Sequence, residues 1–311
     1  MQIGIVGLGR MGANMARRLT LGGARVTGFD RDPQVRAAMA GTIGTPSSLE
    51  GLVGALPAPR VVWLMLPAGD VTGAGIDELA SRLAPGDLIV DGGNAHYRDS
   101  QRRGAALAAI GIRFVDCGVS GGIHGLENGY TLMFGGAPEA AAMLAPFARL
   151  LAPAADAGWL HCGPVGAGHF VKMIHNGIEY GMMQAIAEGF ALMRNRSDLA
   201  LDVAQIAETW RHGSVVRSWL LDLTAQFLAQ DAELSGVAPV VADSGEGRWT
   251  VQEAVEQGVP APVLSVALMT RFASQHRGDY ASRILAMMRK SFGGHPLASG
   301  EKSASAGTAE R

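Results

Sequence analysis

Gln2-Ile3-Gly4-Ile5-Val6-Gly7-Leu8-Gly9-Arg10-Met11-Gly12-Ala13-Asn14-Met15-Ala16-Arg17-Arg18-Leu19 is the stretch that decides the fold of the first half of this chain. A short β-branched run leads into G-x-G-x-x-G, and the residues that follow place Met11, Met15 and Leu19 on one helical side. That context lets backbone N–H groups and a helix N-terminus hold a pyrophosphate. Three spaced glycines alone are a weak signal. Here Asp30 follows Gly12 by 18 residues, at the end of a second run, Arg25 to Phe29. An acid at that point accepts hydrogen bonds from an adenine-ribose 2′-hydroxyl and repels a 2′-phosphate. Together these features predict a dinucleotide site built from Gly7, Leu8, Gly9, Arg10, Met11, Gly12, Asp30 and Arg31. NAD is the expected cofactor; the cation of Arg31 leaves room for weaker use of NADP.

Working outward, short apolar runs recur at Val61 to Leu66, Leu88 to Val90 and Ile112 to Val115, with helical stretches between them. Continuous apolar strands separated by helices indicate a parallel sheet covered on both faces. After Gly163-Pro164-Val165-Gly166 the strand signals fade. Long helical patterns replace them over Ala167 to Arg194, Val203 to Arg211, Arg217 to Ala229, Thr250 to Gln257, Pro262 to Ser274 and Tyr280 to Phe292. The expected organisation is an α/β chain: a Rossmann-like dinucleotide-binding domain over 1–163, an all-helical substrate and oligomerisation domain over 164–295, and a frayed tail over 296–311.

Composition narrows the function classes. The 311 residues are 48% hydrophobic and 17% charged, with Lys+Arg 26 against Asp+Glu 28 and a net charge of -2. A disordered chain is excluded, and without a basic surplus neither nucleic acid nor an anionic membrane surface is an expected partner. No apolar run approaches the roughly 20 residues a membrane span needs. The first residues lack a basic leader and reach Gly7 and Arg10 before an apolar core could form, so no secretory leader is expected. Cys117 and Cys162 lie in no ligand pattern, which reads as reduced thiols in a cytoplasm and no metal site.

Three further stretches carry chemistry. Asp91-Gly92-Gly93-Asn94 follows a strand, so it belongs at the carboxyl edge of the sheet, though the same residues also form ordinary turns. Ser120-Gly121-Gly122 follows another strand and is equally ambiguous by itself. In Gly166 through Tyr180, the residues Lys172, His175, Asn176 and Glu179 fall on one helical face that would ordinarily be apolar. Lys172 and Glu179 stand two turns, about 10 Å, apart along the axis. They can therefore reach opposite ends of a small molecule, the geometry of a paired base and acid. A solvated Lys–Glu face is the competing reading, but Lys before Glu is the weaker helix-stabilising order and the flanks are Met, Ile and Phe. His175 and Asn176 read equally well as hydrogen-bonded packing residues.

With Phe292-Gly293-Gly294-His295 near the end, these motifs make the chain resemble the decarboxylating 6-phosphogluconate dehydrogenases, in their short, NAD-preferring form, from Gln2 to His295. The resemblance implies oxidation at C3 of 6-phosphogluconate and loss of carbon dioxide to give ribulose 5-phosphate, in gluconate use and the pentose phosphate pathway. It implies that Lys172 takes the C3 hydroxyl proton and that Glu179 protonates C1 of the enediol. It assigns the sugar acid to Asn94, Ser120, Gly121, Gly122, His175 and Asn176, with Asn94 also beside the cofactor, and the phosphate to Tyr180, Arg271, Arg289 and His295. It further implies a homo-oligomer, dimer or tetramer, whose C-terminal segment reaches a neighbouring subunit. As a base, Lys172 needs its neutral form, which desolvation favours.

The chain departs from the family's long forms at Asp243-Ser244-Gly245-Glu246-Gly247-Arg248-Trp249-Thr250. Ser244 and Glu246 stand where those forms carry Lys and Thr, and a carboxylate there would repel phosphate. Two other functions compete: an NAD-dependent β-hydroxyacid dehydrogenase acting on a small non-phosphorylated acid, and a non-catalytic NAD-binding regulator. The first has no use for a second acid like Glu179, and the second has no use for a base like Lys172.

Overall fold

The computed structural model describes residues 1–293 and 296–297. His295 and almost all of the expected tail lie outside the described residues. By its internal contacts the chain forms two compact units, one over Met1–Ile178 and one from Glu179 onward.

The first unit is a seven-stranded sheet. Its strands are β1 (Gln2–Val6), β2 (Arg25–Phe29), β3 (Val61–Leu64), β4 (Leu88–Asp91), β5 (Arg113–Ser120), β6 (Thr131–Gly136) and β7 (Trp159–Gly163). In space they run β2-β1-β3-β4-β5-β6-β7. The first five are mutually parallel, β6 is antiparallel to β5, and β7 is parallel to β6. The order reverses between β1 and β3, and ligands bind such sheets in the crevice beyond the strand ends at that reversal. Side chains alternate between faces with a period of two. Ile3, Ile5, Trp63, Leu88 and Val90 join one buried cluster, while Val6, Val62, Leu64 and Ile89 join the other. The helix α1 (Arg10–Leu21) buries Met15 and Leu19 in the first cluster, with Met11 half-buried beside them.

The sequence reading missed β6 and β7 and ended β5 too early. Both β5 and β6 contain glycines, Gly118, Gly135 and Gly136, which read locally as breaks. Pairing across the sheet overrides that weak propensity.

The remaining helices of the first unit are α2 (Pro33–Met39), α3 (Leu49–Gly54), α4 (Asp70–Ala80), α5 (Tyr97–Ala109), α6 (Gly125–Asn128) and α7 (Pro138–Leu151). The helix α8 (Ala167–Arg194) has 28 residues, about 42 Å at the usual rise. The sheet ends at Gly163, where the sequence reading divides the chain, yet the first compact unit runs on to Ile178 inside α8. The opening turns of α8 rest directly on β5 and β6. A Cβ at Gly168 would meet the Asp116 carbonyl oxygen at 2.4 Å and that of Met133 at 2.6 Å.

The second unit is helical: the rest of α8, then α9 (Val203–Trp210), α10 (Trp219–Gln230), α11 (Glu246–Gln257), α12 (Pro262–Ser274) and α13 (Asp279–Gly293). Asp202 and Ser218 cap α9 and α10 by accepting the N–H groups of Gln205 and Leu221. Its cores are small, one around Ala207, Ala225 and Leu228 and one around Tyr180, Ala267 and Leu268. Among the described residues no helix is long and apolar enough to cross a membrane.

Candidate active site

The crevice at the sheet reversal is lined by the fingerprint turn. Gly9 precedes the first helical residue of α1, and no side chain caps that terminus. Its leading N–H groups therefore have no intrahelical partner and face outward. A Cβ on Gly12 would stand 1.9 Å from the Gly7 carbonyl oxygen, whereas one on Gly9 would meet nothing within 4 Å. The turn is thus closed below and open above, and this open cradle of N–H groups fits the pyrophosphate of a dinucleotide. Arg10 is exposed at its rim. The Asp30 carboxylate accepts the Leu8 N–H at 2.8 Å and the Asp32 N–H at 3.0 Å. Each oxygen keeps a lone pair for a ribose hydroxyl. Arg31 is exposed beside it. The sequence reading overlooked Arg36, which donates to the Asp30 and Arg31 carbonyl oxygens and lies over the Phe29 ring.

The stripe on α8 forms a connected polar chain. Lys172, 7% exposed, donates from Nζ to the Asn176 side-chain oxygen. The same oxygen lies 3.1 Å from His175 Nδ1, a contact that the Nδ1–H tautomer would satisfy. In that tautomer Nε2 accepts from the Ser120 hydroxyl at 3.4 Å. Ser120, His175, Asn176 and Lys172 are therefore brought together from β5 and α8. Gly118 is what admits the lysine: a Cβ there would lie 2.2 Å from the Lys172 Cβ. Gly121 and Gly122 follow Ser120 with φ of 131° and 53°, conformations that turn the chain sharply after β5. Asn94 is exposed just beyond β4.

Behind these residues lies a buried network that the sequence did not reveal. Asp116 accepts the Gly166 N–H at 2.6 Å and the His169 N–H at 2.8 Å, holding the start of α8. Burial pushes its carboxyl up, against the pull of His169 and of those N–H groups. Asp91, in register with Asp116 on the adjacent strand, pairs with Arg103 at 3.1 Å and accepts the Gly93 N–H. Burial raises its pKa to about 6 although Arg103 opposes the shift. Cys117 and Cys162 are free thiols, and burial pushes Cys117 up, which suits a packing residue rather than a nucleophile.

In the second unit Tyr180 and Arg271 meet, the guanidinium 3.5 Å from the ring centre. The Tyr180 hydroxyl lies 3.2 Å from Asp243 and 3.3 Å from Ser244. Burial would raise the Asp243 carboxyl, but the Gly245 N–H and the Arg248 guanidinium outweigh it and hold it low. Glu246 is only 2% exposed, so this residue presents little surface to an anion. Glu179 is half-buried on α8 and Arg289 is exposed on α13. Among the described residues no cluster of His, Cys, Asp or Glu is arranged to hold a metal.

A dinucleotide cradle on a Rossmann sheet, continued into a helical domain, defines an NAD(P)-dependent oxidoreductase. Residues 2–159 match the NAD-binding domain of 6-phosphogluconate dehydrogenase, and residues 168–305 match the 6-phosphogluconate dehydrogenase C-terminal domain. The chain belongs to the decarboxylating 6-phosphogluconate dehydrogenase family. It is 42% identical over 301 residues to the NAD(+)-dependent, decarboxylating 6-phosphogluconate dehydrogenase of Haloferax volcanii, covering 96% of this chain and 99% of that one. It is 39% identical over 297 residues to a putative 6-phosphogluconate dehydrogenase of Bacillus subtilis, covering 95% and 98%. The solved 6-phosphogluconate dehydrogenase of Plasmodium falciparum superposes with a TM-score of 0.83 at 26% identity, over 98% of this chain and 67% of that one.

Proposed function

We propose that this protein oxidises 6-phosphogluconate at C3 with NAD, releases carbon dioxide and yields ribulose 5-phosphate. The observation that carries the reading is the buried Lys172 amine at the end of the Ser120–His175–Asn176 chain. A bound nicotinamide ring supplies the acceptor for the hydride that leaves C3. Lys172 takes the C3 hydroxyl proton, giving a 3-keto acid whose carboxylate is β to the new carbonyl. The protonated lysine then stands beside that oxygen and stabilises the enolate charge as the C1–C2 bond breaks. Glu179, two turns along α8, returns a proton to the carbon that lost the carboxylate. Asn94, Ser120, Gly121, Gly122, His175 and Asn176 hold the hydroxyls and carboxylate. Tyr180 and Arg271 receive the phosphate together with Arg289 and His295.

Asp30 favours NAD over NADP because its carboxylate occupies the place a 2′-phosphate needs. In the second unit Val263, Val266, Met269, Tyr280 and Leu285 are exposed apolar or aromatic side chains, which supports a homo-oligomer. The protein is assigned to the cytoplasm, with small molecules as its substrates. NAD reduction with 6-phosphogluconate, set beside 3-hydroxyisobutyrate and coupled to detection of carbon dioxide, tests the reading. Reduction and carbon dioxide are expected with the first acid only. Turnover of 3-hydroxyisobutyrate alone would overturn it.

A further inference from the structure

His169 takes no part in the chemistry above, yet it sits at the meeting point of the three elements that carry it. It is 2% exposed. Its N–H is held by Asp116 of β5 at 2.8 Å, and its Nδ1 lies 2.7 Å from the Ser100 hydroxyl of α5. Its Nε2 is buried with no partner in strict hydrogen-bond geometry, although the ring interacts with the backbone of Gly93 and Asp91. Burial pushes the ring's pKa down, helped by the nearby Arg103 cation, while Asp116 and hydrogen bonding from the Gly93 and Asp91 backbone act in the opposite sense. Asp116, which holds the His169 N–H, is in register with Asp91 on the adjacent strand, and Ser100, which holds Nδ1, lies on the same helix as the Arg103 that grips Asp91, so the ring sits beside the Asp91–Gly93 turn. One turn beyond Ser100 on α5, Arg103 grips the other side of that turn, donating to Asp91 and to the Gly69 carbonyl oxygen at 3.0 Å. Lys172 follows His169 by three residues and shares its side of α8.

We propose that His169 is a positioning residue: its Nε2 edge buttresses the Asp91–Asn94 turn against α8 and so keeps Asn94 and Lys172 in register. The inference rests on the assignment of Lys172 and Asn94 to the reacting site. Ser100 and Asp116 fix the imidazole from one side, and the opposite edge is left to bear on the turn. Helix and turn then cannot shift independently.

Two substitutions separate the two ring nitrogens. In His169→Asn the amide reaches the place of Nδ1 and keeps Ser100 but loses the outer edge; in His169→Gln it reaches the place of Nε2. With 6-phosphogluconate, Asn should lower kcat at least tenfold while the KM for the dinucleotide stays within twofold. Gln should restore kcat to within threefold of the parent. Amide exchange at Gly93 should quicken in the Asn variant and not in the Gln variant. Should the Asn variant not fold, Ser100→Ala, which frees the ring, is expected to lower kcat several-fold at constant dinucleotide KM. Equal loss of kcat in Asn and Gln, or loss of melting temperature with kcat per folded site unchanged, would overturn the proposal. Lys172→Met is measured in parallel. If it still turns over, the site assignment falls and this inference with it; if it is inert while the His169 and Ser100 variants keep full kcat, the coupling alone falls.

Discussion

Gly118→Ala adds one methyl group at the point where β5 passes under Lys172. The backbone of β5 there is ordinary strand, so alanine meets no conformational objection. Its methyl would lie 2.2 Å from the Lys172 Cβ, 2.8 Å from Cγ and 3.2 Å from the Gly168 carbonyl oxygen. Carbon pairs settle at about 3.5–4.0 Å, so relief takes about 1.3 Å or more of relative movement. Rotation about χ1 cannot provide it, because a Cβ is fixed by its own backbone; the strand or the helix must shift. Overpacking of this kind costs about 1–3 kcal/mol, and in a compact unit of the size of Met1–Ile178 each kcal/mol lowers Tm by about 2–4 °C. The effect on rate is larger in proportion, since a 1 Å misplacement of a reacting group costs about 100-fold. Steady-state dinucleotide reduction, normalised to folded protein by circular dichroism, should show kcat down about 100-fold with the dinucleotide KM within twofold. A Gly118→Ala protein with kcat within threefold of the parent would refute the argument that α8 seats its lysine on this glycine.

Asp30→Ser should narrow the ratio of kcat/KM for NAD over NADP, by removing both the 2′-hydroxyl acceptor and the repulsion of a 2′-phosphate; a parent enzyme that already favours NADP would refute the assignment. Lys172→Met should lower kcat by at least 10²-fold, and mixing it with Arg289→Ala should restore some activity if the C-terminal segment serves a neighbouring subunit. No recovery in mixtures shown to exchange subunits would mean that each chain completes its own phosphate site. Burial raises the Asp91 carboxyl from the ordinary 3.8 to about 6 in the folded state, so between those limits the folded state binds the extra proton and stability falls as pH rises. The unfolding free energy of the parent minus that of Asp91→Asn should therefore decrease from pH 4 to pH 6, by up to about 3 kcal/mol, and then level off; urea melts that show it rising would contradict the burial of that charge.

What was legible in the sequence is what is local. The fingerprint, Asp30 and the Lys172–Glu179 stripe each declare themselves within one strand-turn or one helix face, where spacing alone fixes which residues are neighbours. The pieces that hold α8 in place are contacts between distant residues. Asp116 reaches Gly166 and His169 across about 50 residues, and Arg103 reaches Asp91 from another element. Gly118, Gly135 and Gly168 carried no signal, because the close approach each permits, to a side chain or to backbone of another element, has no signature in any one segment. The phosphate end was half legible. Glu246 read as a repulsive charge, and nothing nearby in sequence signalled that the fold would bury it.

The seat of α8 on β5 and β6 is made of main chain on main chain, with glycines where side chains would normally intervene. Such a joint has no rotamers. It cannot absorb thermal motion by letting side chains hop, and it offers natural variation nothing to repack, since the first carbon added at Gly168 already collides. Relatives working at other temperatures would then keep this joint and adjust the loops around the nucleotide and the thinly packed helices of the second unit. The lysine should remain the coldest point of the molecule, with the slowest-exchanging amides beneath it.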